Sequence, residues 1–552
     1  MSTATQGREA ARRYLRIGQR PPPGQRLAPA SPISAMLIAA VVLAGALQRW
    51  WVATHIIGTL SSDGAVIGLM ALRIVHHGQF TAFMWGQSYG GSLEAALTAV
   101  VFLGAGVGTS QLLTTTALTS ALCVIALWRA GRLIVGETAA RIGALVFWVW
   151  PATFLWRSLK PGGTYMAGLA IALCAVWALA KIKKGDRTWG GAARAGLWCG
   201  LAVWSSPMAL ELLVPAALWC LPELARLRWK LAAAATGGMA GWFPSLVFGV
   251  TQDWTNLYMP GNDLLPGFPS RLGQFFTTEG PIAIGVREEG SLAWLGGPAG
   301  QVLAWLGVAS LLVMAAAVVR NRAPRCRLPV LTIALLPVLY ALNPLADHTG
   351  QGRYALFAVP MGALLVGVVL DRAANLGLAA NRSPTANRSP AANPSHAGTR
   401  RARRTATIGL ILACALGTAG LLADPGRQLV AFQAPDVAMP ANDAGLLHLL
   451  AVHGITDAYS NYWIAYRVTF ETGGRATVTP DDYDRYPPIA RMVAASPDPA
   501  YLFISASRTT AAFQAWCREH GISYQAWSDG GFTVVWPATK VTQGMVPGGV
   551  LG

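Results

Sequence analysis

Charge is what this sequence has least of. Only 12% of its 552 residues are Asp, Glu, Lys or Arg, against 53% apolar, and the mean hydropathy is +0.42. A soluble domain averages about 25% charged residues, so the composition excludes a disordered chain and a purely soluble globule. It reads as a polytopic membrane protein. A cysteine framework is missing as well. The seven cysteines (Cys123, Cys174, Cys199, Cys220, Cys326, Cys414 and Cys517) show no C-x-x-C spacing and fall mainly inside apolar runs, which excludes a zinc module or a disulfide scaffold. There is no Walker A sequence, no H-E-x-x-H, and no G-x-G-x-x-G between a strand and a helix. No segment expected on the cytoplasmic side is long enough to fold into a nucleotide-binding domain, so chemistry on a cytosolic nucleotide donor is set aside.

What is present is a succession of apolar runs. A spanning helix needs about 20 mainly apolar residues. Eleven stretches qualify, near 32–54, 107–128, 141–158, 164–181, 194–206, 209–222, 231–250, 293–319, 328–346, 354–370 and 406–423. The fifth and sixth are short and joined by Ser205-Ser206-Pro207, as in a hairpin. The net charge of +18 sits mostly between these runs, where membrane topology and not nucleic acid explains it. Every segment assigned to the inside is positive and the outside is net acidic, which predicts a cytoplasmic N-terminus and an extracytoplasmic C-terminus at the plasma membrane. The first run reads as a retained signal anchor, because no A-x-A site separates it from polar sequence.

The layout divides the chain into a disordered cytoplasmic tail (1–31), a transmembrane catalytic module (32–370), a disordered basic cytoplasmic linker (371–405), a last span (406–423) and an extracytoplasmic domain (424–552). The linker repeats Ala-Asn-Arg-Ser-Pro and ends in Arg400, Arg401, Arg403 and Arg404, a solvated loop with affinity for anionic membrane lipid. In the last region, helix-like stretches (442–453, 488–495, 509–520) alternate with strand-like ones (501–505, 522–527, 532–536), which predicts a small α/β domain.

Ionisable residues inside spans mark ion pathways, and here they are almost absent: Arg49 lies toward the outer end of its run and Glu211 just after the Ser-Ser-Pro turn, which disfavours a transporter. The chemistry-bearing residues are in loops. Asp63 follows the first span within Ser61-Ser62-Asp63-Gly64 and opens an apolar stretch, the position of a helix N-cap. Next comes Phe83-Met84-Trp85-Gly86-Gln87-Ser88-Tyr89-Gly90-Gly91-Ser92-Leu93-Glu94. Aromatic faces stack on pyranose rings, Gly permits close backbone approach, and Gln87, Tyr89 and Glu94 offer hydroxyl partners. The same residues also suit a tight interfacial turn with belt aromatics. Arg157 and Lys160 break the acidic character of the outer face, as does Arg353 beside Asp347 and His348. Cations there bind a lipid phosphate and stabilise it as it departs, or snorkel to headgroups. Glu279 and the other polar residues of 251–291 read as loop surface or an acceptor groove.

A first span, an acid just outside it, an interface helix and an aromatic turn together resemble the opening of the GT-C membrane glycosyltransferases, most similar to the bacterial family 39-like and RgtA/B/C/D-like group. Gly106-Val107-Gly108-Thr109-Ser110, the third span ending near Pro151, and Gly352-Arg353-Tyr354 through Pro360 extend the match over about residues 32–370. Tyr459 to Arg467 is similar to the C-terminal region of some members and has no defined role. The resemblance implies an inverting transfer from a polyprenyl-phosphate-linked sugar to a cell-envelope glycan or glycoprotein. Asp63 would be the base or a metal ligand and Glu94 the second acid. Arg157, Lys160 and Arg353 would hold the donor phosphate, and Gln87, Tyr89 and His348 would contact substrate. Two departures stand out. Gly64 follows Asp63 where many members carry an Asp-Glu pair, and the loop from Arg157 to Thr164 has no carboxylate where some members place a second acid. Both weaken a divalent-metal mechanism without removing it. A membrane scaffold whose outer domain binds a partner is the non-enzymatic alternative.

Overall fold

The computed structural model describes residues 32–57, 60–149, 152–257, 267–288, 292–294, 297–320, 323–343, 352–380, 440, 442–481 and 483–546. The chain divides into Met1–Ala40, of which the start of the Pro32–Val52 helix is described, and Val41–Gly552. Helix dominates the second part, and the apolar runs of the sequence form the helices. Among the described residues, four are long and apolar enough to cross a membrane: Thr109–Ile134, Met166–Lys183, Pro207–Ala225 and Pro324–Leu342. A fifth span results if Arg228–Gly241 and Phe243–Thr251, which meet at 63°, count as one. The chain is thus a multi-pass membrane protein, with fewer spans meeting these criteria than the eleven expected. Some expected spans are divided or short. The one near 141–158 forms the helices Glu137–Val149 and Ala152–Arg157, and the one near 194–206 forms the 17-residue helix Trp189–Ser205. The span near 406–423 lies outside the described residues. The helix Val359–Ala380 continues past residue 370 into the segment expected to be linker.

Close helix contacts are made where the side chains are smallest. Trp189–Ser205 and Leu231–Gly241 pack backbone to backbone: a Cβ added at Gly196 would lie 1.8 Å from the Ala234 carbonyl oxygen. Lipid offers no hydrophobic drive between helices, so such small-residue seams supply the packing. Arg49, buried in its helix, is satisfied within the bundle. Its Nε donates to Ser158 Oγ (2.7 Å), it reaches the Trp148 carbonyl, and its guanidinium lies 3.5 Å over the Trp148 ring.

The C-terminal region forms a five-stranded sheet. Strands β1 (Asp457–Ser460), β2 (Thr477–Pro480) and β3 (Ala500–Ile504) run parallel, whereas β4 (Tyr524–Asp529) and β5 (Phe532–Pro537) are an antiparallel hairpin. Their order across the sheet is β2-β1-β3-β5-β4. Gly530 and Gly531, with φ of +57° and +86°, supply the two left-handed positions that such a two-residue turn requires. β3, β4, β5 and the helices Ala444–His453, Pro487–Ala495 and Arg508–Glu519 match the expected alternation. The pattern of the sequence does not predict β1, β2 or the intervening helix Tyr462–Glu471. The two strands have four residues each and bury nearly every side chain, so neither shows the alternation that marks a half-exposed strand.

The Tyr462–Glu471 helix sets the position of the sheet. It packs on the Ser62–His77 helix, and Tyr462, Tyr466 and Phe470 share one apolar core with Ala65, Ile67, Met70, Met84 and Trp85. Gly68 makes room for this. A Cβ there would stand 2.5 Å from the Phe470 ring.

Candidate active site at the domain junction

The Ser62–His77 helix is capped by Ser61, whose hydroxyl accepts the Gly64 N–H at 3.1 Å. Asp63 is therefore not the N-cap that its sequence position suggests, and its carboxylate is released to point elsewhere. Its side chain is 43% exposed. Oδ1 accepts two hydrogen bonds from the C-terminal region, from the Tyr462 hydroxyl at 2.6 Å and from Arg485 Nη2 at 3.0 Å. Among the described residues, Oδ2 has no hydrogen-bond partner. Arg485 Nε also donates to the Tyr462 hydroxyl at 2.6 Å, so the three groups form a closed triangle. Burial first, and the neighbouring Asp63 charge second, push the Tyr462 phenol well above its ordinary pKa, which keeps it a donor.

The aromatic loop forms one wall of this site. Phe83 and Gly91 pair as an isolated antiparallel bridge, and the Met84 N–H donates to the Gly90 carbonyl at 3.0 Å. Trp85 stacks on Tyr486 with ring centroids 3.8 Å apart, and the Tyr483 hydroxyl donates to the Gly86 carbonyl at 3.3 Å. Gly86 has φ +71°, and a Cβ there would stand 2.8 Å from the Arg485 Cα. Both its backbone conformation and the approach of the second segment require glycine at this point. Residues Gly86-Gln87-Ser88-Tyr89-Gly90 also spell G-x-S-x-G. They lie in turns and bends, not in the strand-to-helix elbow that exposes a nucleophilic serine, so the pattern does not mark a hydrolase. Gln87 sits within this loop, its amide oxygen facing Gly90.

Tyr89 links this cluster to a second one. Half-buried, its hydroxyl is pushed up first by burial, and it feels both Arg353 and Arg485. Arg353 donates to the Tyr354 hydroxyl at 2.9 Å and reaches that of Tyr165 at 3.4 Å. Arg157 lies over the Tyr165 ring at 5.3 Å, and the Lys160 ammonium over Trp156 at 3.9 Å. The turn carrying Arg353 hangs on Glu279. This carboxylate is wholly buried and accepts the Tyr354 N–H at 2.8 Å and the Gly352 N–H at 3.3 Å. Glu279 is thus an anchor of the site and not the loop surface or acceptor groove read from sequence. His348 lies outside the described residues.

Glu94 does not face an opening. It is 1% exposed, on a short helix (Leu93–Ala105) that is not among the candidate spans, and accepts the Thr116 hydroxyl at 2.9 Å. Burial pushes its carboxyl up to about 7, opposed by Thr116 and by the Gly163 and Gly162 backbone beside it. Those contacts join it to the loop that carries Arg157 and Lys160. A carboxyl raised in this way favours the fold below its unfolded pKa, near 4.3, and that contribution is lost as pH rises through about 7. Thermal midpoints measured from pH 4 to 8 should fall over that window in the wild type, and Glu94→Gln should flatten the fall. An unchanged slope in the variant would rule out this carboxyl as its source.

Asp63 has Arg485 beside it, and among the described residues no three His, Cys, Asp or Glu side chains are placed to hold a metal ion.

No protein-family model matches the chain, and no curated protein matches it in sequence. Solved structures do match in fold. ArnT from Cupriavidus metallidurans bound to undecaprenyl phosphate superposes with a TM-score of 0.59 at 15% identity, covering 95% of this chain and 100% of ArnT. The same protein in the apo state gives 0.58 at 15% identity, covering 91% and 98%. The chain has the ArnT-like fold over nearly its whole length.

Proposed function

We propose that this chain is an integral-membrane glycosyltransferase of the GT-C type, which moves a hexosyl or pentosyl unit from a polyprenyl-phosphate donor to an acceptor hydroxyl on the extracytoplasmic side. The acceptor is a cell-envelope glycan or glycoprotein. The observation that carries this reading is the half-exposed Asp63 carboxylate, with one oxygen held and the other open. The likeness to ArnT, whose structure holds undecaprenyl phosphate, supports a lipid-phosphate donor. The charge pattern supports eleven spans, a cytoplasmic N-terminus and an outer C-terminal domain.

In this reading the acceptor hydroxyl hydrogen-bonds to Asp63 Oδ2. As its oxygen attacks the anomeric carbon from the face opposite the phosphate, its proton passes to Oδ2. The bond between the anomeric carbon and the phosphate oxygen breaks, and its electron pair leaves with the polyprenyl phosphate. Attack from the opposite face inverts the anomeric configuration. Arg353, Arg157 and Lys160 stabilise the charge that gathers on the departing phosphate. Gln87, Tyr89 and His348 are assigned to substrate contact, and Glu94 to holding the loop of Arg157 and Lys160.

The test uses purified protein in detergent with polyprenyl-phosphate mannose, arabinose, glucose and galactose. A ligand that prefers the folded state stabilises it by about 2.7 kcal/mol at a hundred times its Kd. One donor should raise the thermal midpoint selectively, and Lys160→Ala and Arg353→Ala should weaken that shift. If no donor shifts the folded wild-type protein, the scaffold alternative takes its place.

A further inference from the structure

Resting on that reading, the geometry points to Tyr462 and Arg485 as positioning residues for Asp63, so that docking of the C-terminal domain is a condition of sugar transfer. A half-exposed aspartate in the first turn of a helix, relieved of capping by Ser61, would ordinarily turn freely about its side-chain bonds. Here both donors converge on the same oxygen and are bonded to each other. Oδ1 is thereby saturated, the rotamer is set, and Oδ2 is directed to the exposed side.

The two donors are themselves held firmly. Arg485 is 9% exposed in its side chain, its backbone N–H donates to the Tyr466 hydroxyl at 2.8 Å, and its guanidinium lies 5.3 Å over the Tyr462 ring and 5.1 Å over that of Tyr483. Tyr466 is fully buried and donates in turn to Asp484 at 3.0 Å. Tyr462 accepts the buried Ser62 hydroxyl on its carbonyl oxygen, next in sequence to the aspartate it positions. Groups so constrained hold a base within the narrow geometry that proton transfer requires.

Full-length Arg485→Ala, Arg485→Lys and Tyr462→Phe test this, with kcat set against acceptor KM as the readout. Arg485→Ala should lower kcat by about 10²-fold while acceptor KM stays near the wild-type value. Arg485→Lys should restore part of the lost kcat. Tyr462→Phe keeps the packing and removes one hydrogen bond. It should lower kcat by about 3- to 10-fold, again without a matching change in KM. If Arg485→Ala fails to fold, the Lys and Phe variants decide. Wild-type kcat in both Tyr462→Phe and Arg485→Lys would overturn the inference. The outcomes separate from those of the functional reading: a folded wild-type protein that transfers sugar from none of the four donors counts against the enzyme itself, whereas an active enzyme indifferent to these changes counts against the positioning role alone.

Discussion

Asparagine in place of Asp63 lowers the rate of sugar transfer by about 10²- to 10⁴-fold, the contribution of a positioned general base, and leaves the protein folded. The side chain keeps its shape, and the amide oxygen still accepts from Tyr462 and Arg485 at the Oδ1 position. What disappears is an oxygen able to take the acceptor's proton. The change in stability should be small, because the Asp63 side chain is 43% exposed and the amide oxygen keeps both hydrogen bonds. Rates of labelled-sugar transfer, set beside thermal midpoints in the same detergent, separate the two effects. Full activity in a folded Asn variant would reduce Asp63 to a tether between two segments.

Loss of stability without direct loss of chemistry is expected from Arg467→Met. Arg467 and Asp443 are both buried, 4% and 2% exposed in their side chains, with Nε 2.5 Å from Oδ2 and Nη2 2.6 Å from Oδ1. Glu471 belongs to the same cluster. Burial first and Asp443 second push its carboxyl up, while Arg467 opposes them. Removing the arginine leaves the buried Asp443 and the half-buried Glu471 without a cation, and breaking a buried pair in this way costs about 3–5 kcal/mol. Arg467 lies on the helix that also carries Tyr462, so the variant should lose activity at temperatures where the wild type keeps it. The loss should grow as pH rises, because Glu471, whose carboxyl is already pushed up by burial, then ionises without the arginine beside it. Thermal unfolding at pH 6 and pH 8 reads this directly. Adding Asp443→Leu to Arg467→Met should recover part of the midpoint, and a single variant as stable as the wild type would show that the pair contributes nothing.

The legible part of this protein is the part written locally. Apolar runs mark helices wherever they lie, because burying their side chains in lipid is decided residue by residue. Asp63 stands out because it follows an apolar run at once, and Arg353 because a cation is uncommon where the layout places it. The Gly-rich loop is equally plain, and Gly86 with its positive φ accounts for one of its glycines. Strands β3 and β5 can be read from their apolar runs, whereas β1 and β2, four residues long and buried at nearly every position, have no pattern to set them apart from short core segments.

What the sequence by itself determined is a polytopic membrane chain with a small α/β region after the spans, and an acid and cations placed for work at a membrane surface. The tertiary structure alone decided how that acid is held. Tyr462 and Arg485 meet Asp63 across separations of 399 and 422 residues, and no local pattern carries information over such a distance. Glu279 is similar: in sequence it is one polar residue in a loop, and only the fold places its two oxygens on the amides of Gly352 and Tyr354, 73 and 75 residues away. Hydrophobic periodicity reports which face of an element is buried. Which polar groups then meet depends on the packing of whole helices, here the Tyr462–Glu471 helix seated against Gly68.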